Sequence, residues 1–141
     1  MTIYYAVIDT NVVVSSFLKR DSIPNEIVQM SLNGPIIPLL NEEIINEYQD
    51  VLLRNKFGFS EETIKTFIEE LMKRGVFLDR TQADELFSDQ DDVVFYEIVL
   101  TARTATNAYL ITGNKKHFPI KPFVVTPNEM LQIMKQNATQ K

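Results

Sequence analysis

The sequence contains no cysteine. That absence excludes disulfides, thiolate metal sites and cysteine nucleophiles, and it fits a reducing cytoplasm. The N-terminus lacks a basic region followed by a long apolar core, and no apolar run approaches membrane-spanning length. The expectation is a soluble, cytoplasmic protein with no membrane partner. No glycine-rich loop follows the first apolar run, which sets dinucleotide binding aside. Histidine occurs once, at His117, and reads as a surface or turn residue before it reads as a catalytic base. Positive charge is scarce: 14 Lys and Arg against 19 Asp and Glu leave a net charge of -5. Generic affinity for nucleic acid comes mostly from Lys and Arg, so any such binding must be local. Bound divalent cations would reverse the sign at a cluster of carboxylates.

The 141 residues, 45% hydrophobic and 23% charged, suit one folded domain, with boundaries expected at 1–136 and a frayed tail at 137–141. Residues 3–8 read as a buried strand and residues 11–18 as a short buried helix. Pro24 suits the first turn of a second helix ending at Asn33-Gly34, followed by a brief strand over 35–38. Asn41 is an N-cap candidate for a helix to about Arg54, and Ser60 for one to Arg74, with Ile64, Phe67, Ile68, Leu71 and Met72 on its core face. Val76-Phe77-Leu78 reads as a strand, residues 79–91 as a long polar loop, and Asp92 as the start of a helix. Strands over 108–112 and 123–125 precede a helix from Pro127. Strands alternating with helices predict one α/β domain with a mainly parallel sheet.

Asp9 closes the run Ile3-Tyr4-Tyr5-Ala6-Val7-Ile8, and Asn114 follows Ala108-Tyr109-Leu110-Ile111-Thr112-Gly113. Side chains just past the carboxyl ends of strands in an open sheet face the ligand crevice. Glu47 and Asp92 are the other oxygens that the alternating topology brings toward that end. Converging carboxylates repel unless a cation neutralises them, so Asp9, Glu47, Asp92 and Asn114 read as a Mg²⁺ or Mn²⁺ site for phosphate chemistry. Thr10 or Asn11 would orient the ion or a water, with Thr112 supporting from the second strand. Each position also has a plainer reading. Asp9 or Thr10 could cap the next helix, Glu43, Glu47 and Asp50 could form a solvated face, and Asp89, Asp91 and Asp92 could favour a helix start. Asn114 could simply turn the chain.

In order along the chain, Ile8-Asp9-Thr10-Asn11, Glu47-Tyr48-Gln49-Asp50-Val51-Leu52, Asp89-Gln90-Asp91-Asp92-Val93-Val94-Phe95-Tyr96-Glu97 and Tyr109-Leu110-Ile111-Thr112-Gly113-Asn114 resemble the PIN-domain ribonucleases. The resemblance is nearest to the PIN-family toxins of bacterial toxin–antitoxin systems and runs from residue 3 to the terminal helix. It implies a three-layer α/β/α sandwich around a mainly parallel sheet, with acids that bind Mg²⁺ or Mn²⁺ to hydrolyse single-stranded RNA. By position, Asp9 matches the first acid, Asn11 the Asn or Ser after it, Glu47 the second acid and Asp92 the third, with Asp89 and Asp91 close enough to assist or replace it. Asn114 stands where many relatives have Asp, which removes one charge. The resemblance also implies an antitoxin protein as partner and a homodimer.

On this reading Asp9, Glu47 and Asp92 are both catalytic and metal-holding, and Asn114 completes the metal set. Candidates to contact RNA phosphates are Lys115, Lys116 and His117, close to Asn114 in sequence, with Lys19 and Arg20. The rival is a catalytically weak or inactive PIN-like module that binds RNA or protein, prompted by Asn114. An aspartyl phospho-acceptor domain ranks lower, because position 11 is Asn where that chemistry wants Asp.

Overall fold

Ala6, Val7 and Ile8 are apolar without interruption, and a strand of that kind is stable only with both faces covered. In the computed structural model, which describes residues 2–139, they lie in β1 (Tyr4–Ile8), at 0%, 0% and 3% exposure. The chain then forms α1 (Thr10–Leu18), α2 (Ile23–Asn33), β2 (Ile36–Leu40), α3 (Glu42–Leu52), α4 (Glu61–Arg74), β3 (Val76–Phe77), α5 (Gln90–Arg103), β4 (Tyr109–Ile111), β5 (Val124–Val125) and α6 (Pro127–Thr139). The strands form one five-stranded sheet in the order β3-β2-β1-β4-β5, and every pairing is parallel. With its six helices this is the expected α/β/α sandwich with a parallel central sheet. Among the described residues no helix is long and apolar enough to cross a membrane.

The strand order fixes where a ligand crevice opens. The chain winds from β1 outward through β2 and β3, then returns to the other side of β1 for β4. The order therefore reverses between β1 and β4, and the carboxyl ends there splay apart. Register sets Ile8 beside Ile111, so the next residues, Asp9 and Thr112, flank that opening.

Caps follow the expected chemistry. Ser22, Asn41 and Ser60 accept from the backbone N–H groups of Asn25, Ile44 and Thr63. Several boundaries differ from expectation. Helix α5 begins at Gln90, two residues early, because Asp89 takes the cap position and accepts from Asp91 N at 2.9 Å. Strand β2 continues past Pro38 to Leu40, and β3 pairs with it only from Leu39 onward. Met72 is 46% exposed and Leu18 59% exposed, so neither joins the core. Met72 lies about 100° around the helix from Leu71, which is the residue in line with Ile64 and Ile68. Residues 137–139, expected to fray, are helical, and Asn137 Nδ2 donates to the Tyr4 hydroxyl at 3.0 Å. Residues 140 and 141 of the expected tail lie outside the described residues.

The long segment between β3 and α5 carries no regular element but is tied down. Arg80 bridges Glu97 at 2.6 Å and Glu43 at 2.8 Å, joining α5 to α3. Ala83 N donates to Glu97 at 2.8 Å, and Tyr96 Oη donates to Glu85 at 2.8 Å.

Candidate active site

Asp9 occupies the N-cap position of α1, yet its side chain makes no cap hydrogen bond. The carboxylate accepts instead from Thr112 Oγ1 at 2.7 Å, across the β1–β4 opening. At 6% exposure it is buried. Burial raises its pKa, and the Thr112 hydroxyl offsets part of that rise.

Glu47 reaches the same place from α3. The neighbouring Tyr48 is fully buried and donates to the Ile8 carbonyl, pinning α3 against the end of β1. Thr10 Oγ1 then donates to Glu47 Oε2 at 2.6 Å. Glu47 is half-buried, and its pKa is raised, first by burial and, after the opposing Thr10 bond, by the charge of Asp9. The glutamate is therefore part of the crevice and not of a solvated helix face.

Asp92 enters from the first turn of α5. Burial comes first, then the negative charges of Asp9 and Asp89, and together they push its pKa up to about 6. Its Oδ2 is buried and has no hydrogen-bond partner. His117 Nδ1 lies 3.6 Å from that oxygen. Asp89 is occupied as the α5 cap, and Asp91 is exposed.

The turn after β4 closes the crevice. Asn114 N donates to Thr112 Oγ1 at 3.0 Å, and Gly113 N donates to Asn11 Oδ1 at 3.0 Å. A side chain at Gly113 would bring its Cβ to 3.3 Å from Asn11 Oδ1. The Asn114 amide nitrogen lies 3.1 Å from His117 Nε2.

The sequence-derived candidates thus divide. At the carboxyl edge Thr10 bonds Glu47, Asp9 and the Asn114 backbone amide both bond Thr112, and Asn11 bonds Gly113, while Asp92 joins them through charge and not through a hydrogen bond. Lys115 is paired with Glu129 at 3.0 Å, Lys116 is exposed, and His117 turns toward Asp92. Lys19 and Arg20 follow the far end of α1, about 14 Å along the helix axis from Asp9. That distance separates them from the carboxylates. Sequence reasoning missed Tyr48 as an anchor and the Arg80–Glu97 bridge. A lone Glu97 inside the apolar run Val93 to Val99 was the available signal.

The donors are of the oxygen type that hard divalent cations take. The charge of Asp9 opposes ionisation of both Glu47 and Asp92, Glu47 opposes that of Asp92, and one buried oxygen has no hydrogen-bond donor. As arranged, no three His, Cys, Asp or Glu side chains among the described residues stand close enough to hold an ion.

A family model described as PIN domain matches residues 5–116. Among solved structures, the chain is similar in fold to the crystal structure of VapBC2 from Rickettsia felis bound to a DNA fragment from their promoter. That likeness has a TM-score of 0.56 at 14% identity and covers 86% of this chain and 96% of the other. No curated protein matches the sequence.

Proposed function

The chain belongs to the PIN-domain family, and on that premise we propose that it is a Mg²⁺- or Mn²⁺-dependent endoribonuclease acting on single-stranded RNA, the toxin of a toxin–antitoxin pair. PIN domains are generally metal-dependent nucleases. The observation that carries the reading is the buried Asp92 Oδ2, which has no hydrogen-bond donor and feels the charges of Asp9 and Glu47.

We assign Asp9, Glu47 and Asp92 to hold the cation, with Asn114 as a fourth oxygen that brings no charge. A bound divalent cation would lower the pKa of an attacking water and offset charge on the scissile phosphate. The chain's own residues supply the orientation. Thr112 holds the Asp9 carboxylate, and Thr10 holds Glu47 in one rotamer. Glu47, with its raised pKa, is suited to accept the proton lost by the water. Water attack leaves the RNA 2′-hydroxyl unused, so preference for RNA over DNA would come from groove contacts. Lys116 is the exposed cation next to the crevice for a phosphate, because Lys115 is already paired. The likeness to VapBC2 supports an antitoxin partner, and a homodimer accompanies that reading.

The test compares purified wild type with Asp9→Asn on mixed single-stranded RNAs, with Mn²⁺ and with chelator. Cleavage by the wild type alone, lost on chelation, is expected. Equal cleavage by both proteins would indicate a contaminant. No cleavage together with no Mn²⁺ binding would favour the binding-module reading.

A further inference from the structure

Beside the crevice lies a hollow that the proposed chemistry leaves unused. Asn11 and Gly113, joined by the hydrogen bond that closes the crevice, also line a cavity of about 410 Å³. Helices α1, α2 and α6 supply the rest of its wall. Val12 and Pro127 are buried there, while Ile23, at 38% exposure, and Pro24 leave an apolar face open to water. Ser15 and Asn128 stand between them, and neither side chain is taken up in a hydrogen bond among the described residues. Asn25 Nδ2 donates to the Ser16 carbonyl at 3.3 Å and fixes α2 on α1, so the hollow is already formed without a ligand. Among the described residues no acidic or basic side chain lines it. The two helix starts at its edge are already capped, α2 by Ser22 and α6 by the reciprocal pair Thr126 and Glu129, at 2.9 and 3.1 Å. Such a lining offers no countercharge to a phosphate or a cation, but it suits a flat, uncharged ring.

We propose that this hollow takes the unpaired base of a nucleotide next to the scissile phosphate, a purine in preference to a pyrimidine. The proposal rests on the ribonuclease reading above and names what that site selects. Bases of single-stranded RNA are free to turn out of the stack and be read one at a time. The sugar–phosphate chain keeps to the Lys116 rim, and only the base turns past Gly113 toward the start of α6. There Val12, Ile23, Pro24 and Pro127 exchange water for the face of the ring, and the larger purine covers more of them. The Ser15 hydroxyl and the Asn128 amide each offer a donor and an acceptor to the edge of the ring. A DNA strand presents the same bases, so the hollow selects the base and not the sugar.

The test digests a randomised single-stranded RNA with the Mn²⁺-loaded protein and sequences the cut ends. Purines should be enriched about fivefold at one fixed position beside the cut. Ser15 is exposed, so Ser15→Phe fills the hollow without disturbing the core. That variant should erase the enrichment, with Mn²⁺ affinity retained and an effect on KM about tenfold larger than on kcat. Asn128→Ala removes only the amide and should reduce the enrichment by about half or more. Mn²⁺-dependent cleavage that is lost in Asp9→Asn, yet shows no purine enrichment or an enrichment untouched by both variants, would overturn this proposal and leave the nuclease reading intact. No cleavage by the wild type, together with no Mn²⁺ binding, would overturn both.

Discussion

Two buried carboxylates in this molecule have opposite surroundings. Glu97, 7% exposed, receives the Arg80 guanidinium at 2.6 Å and the Ala83 amide at 2.8 Å. Asp9, 6% exposed, receives the Thr112 hydroxyl and sits among further acids. The first has its countercharge built into the chain. The second has no guanidinium or ammonium paired with it among the described residues, and its neighbour Asp92 keeps a buried oxygen without a hydrogen-bond donor. A buried charge is tolerable only when paired. The Arg80 bridge therefore completes the fold, while the Asp9 crevice costs stability until something positive arrives.

That contrast breaks most visibly at Arg80. Arg80→Met leaves the Glu97 charge with only the Ala83 amide, and urea unfolding should show a loss of about 1–3 kcal/mol, because the guanidinium is partly exposed. A loss below about 1 kcal/mol would mean that Glu97 finds water or another donor.

Asp9→Asn should act in the other currency, removing at least a hundredfold of RNA cleavage, about 2.7 kcal/mol in the barrier. Its metal-free fold should stay intact, because an amide oxygen can still accept from Thr112. Retained cleavage at the wild-type rate would remove Asp9 from the site.

The pH dependence of stability sharpens the comparison further. In the folded, metal-free protein Asp92 titrates at about 6, against an ordinary 3.8. The folded state thus holds the proton more tightly than the unfolded chain. Stability from this group is greatest below pH 4 and falls as pH rises from about 4 to 6. Asp92→Asn should erase that slope and raise metal-free stability at pH 7.5 by roughly 1–2 kcal/mol, allowing for partial hydration. Saturating Mn²⁺ should flatten the wild-type profile in the same window. A slope unchanged in the variant would assign the titration elsewhere.

The smallest effect is expected at the rim. Lys116→Ala should weaken RNA binding by about threefold and flatten its salt dependence slightly, leaving Mn²⁺ affinity unchanged. Lys115→Ala should do less to RNA, because its ammonium is paired with Glu129. The reverse ranking would place the RNA path on the α6 side.

What could be read from the sequence followed from local rules. The apolar run before Asp9, the caps at Asn41 and Ser60, and the alternation of strands with helices place Asp9 and Asn114 at one sheet edge from the pattern alone. What could not be read depends on rotation and on distant partners. Helical spacing alone does not separate Glu43, Glu47 and Asp50; the resemblance singled out Glu47, and the Tyr48 hydroxyl on Ile8 and the Thr10 bond give the physical reason. The inward turn of His117 is set by the burial of Phe118 against Phe87, a contact across 31 residues of sequence. Asp89 and Asp92 have equal chemistry, and cap geometry alone separates them. The Arg80 bridge required knowing how an irregular segment lies over α5.

The hydrogen bond between Asp9 and Thr112 joins residues 103 positions apart. During synthesis from the N-terminus, β1, β2 and the helices between them are complete long before β4 exists. Until β4 has been made and docked, Asp9 has no hydroxyl partner and the crevice has only one wall. Contacts of such long sequence separation form late, after their loop-closure cost has been met. On the proposed reading, a partly made chain therefore lacks a competent crevice until β4 has docked beside β1.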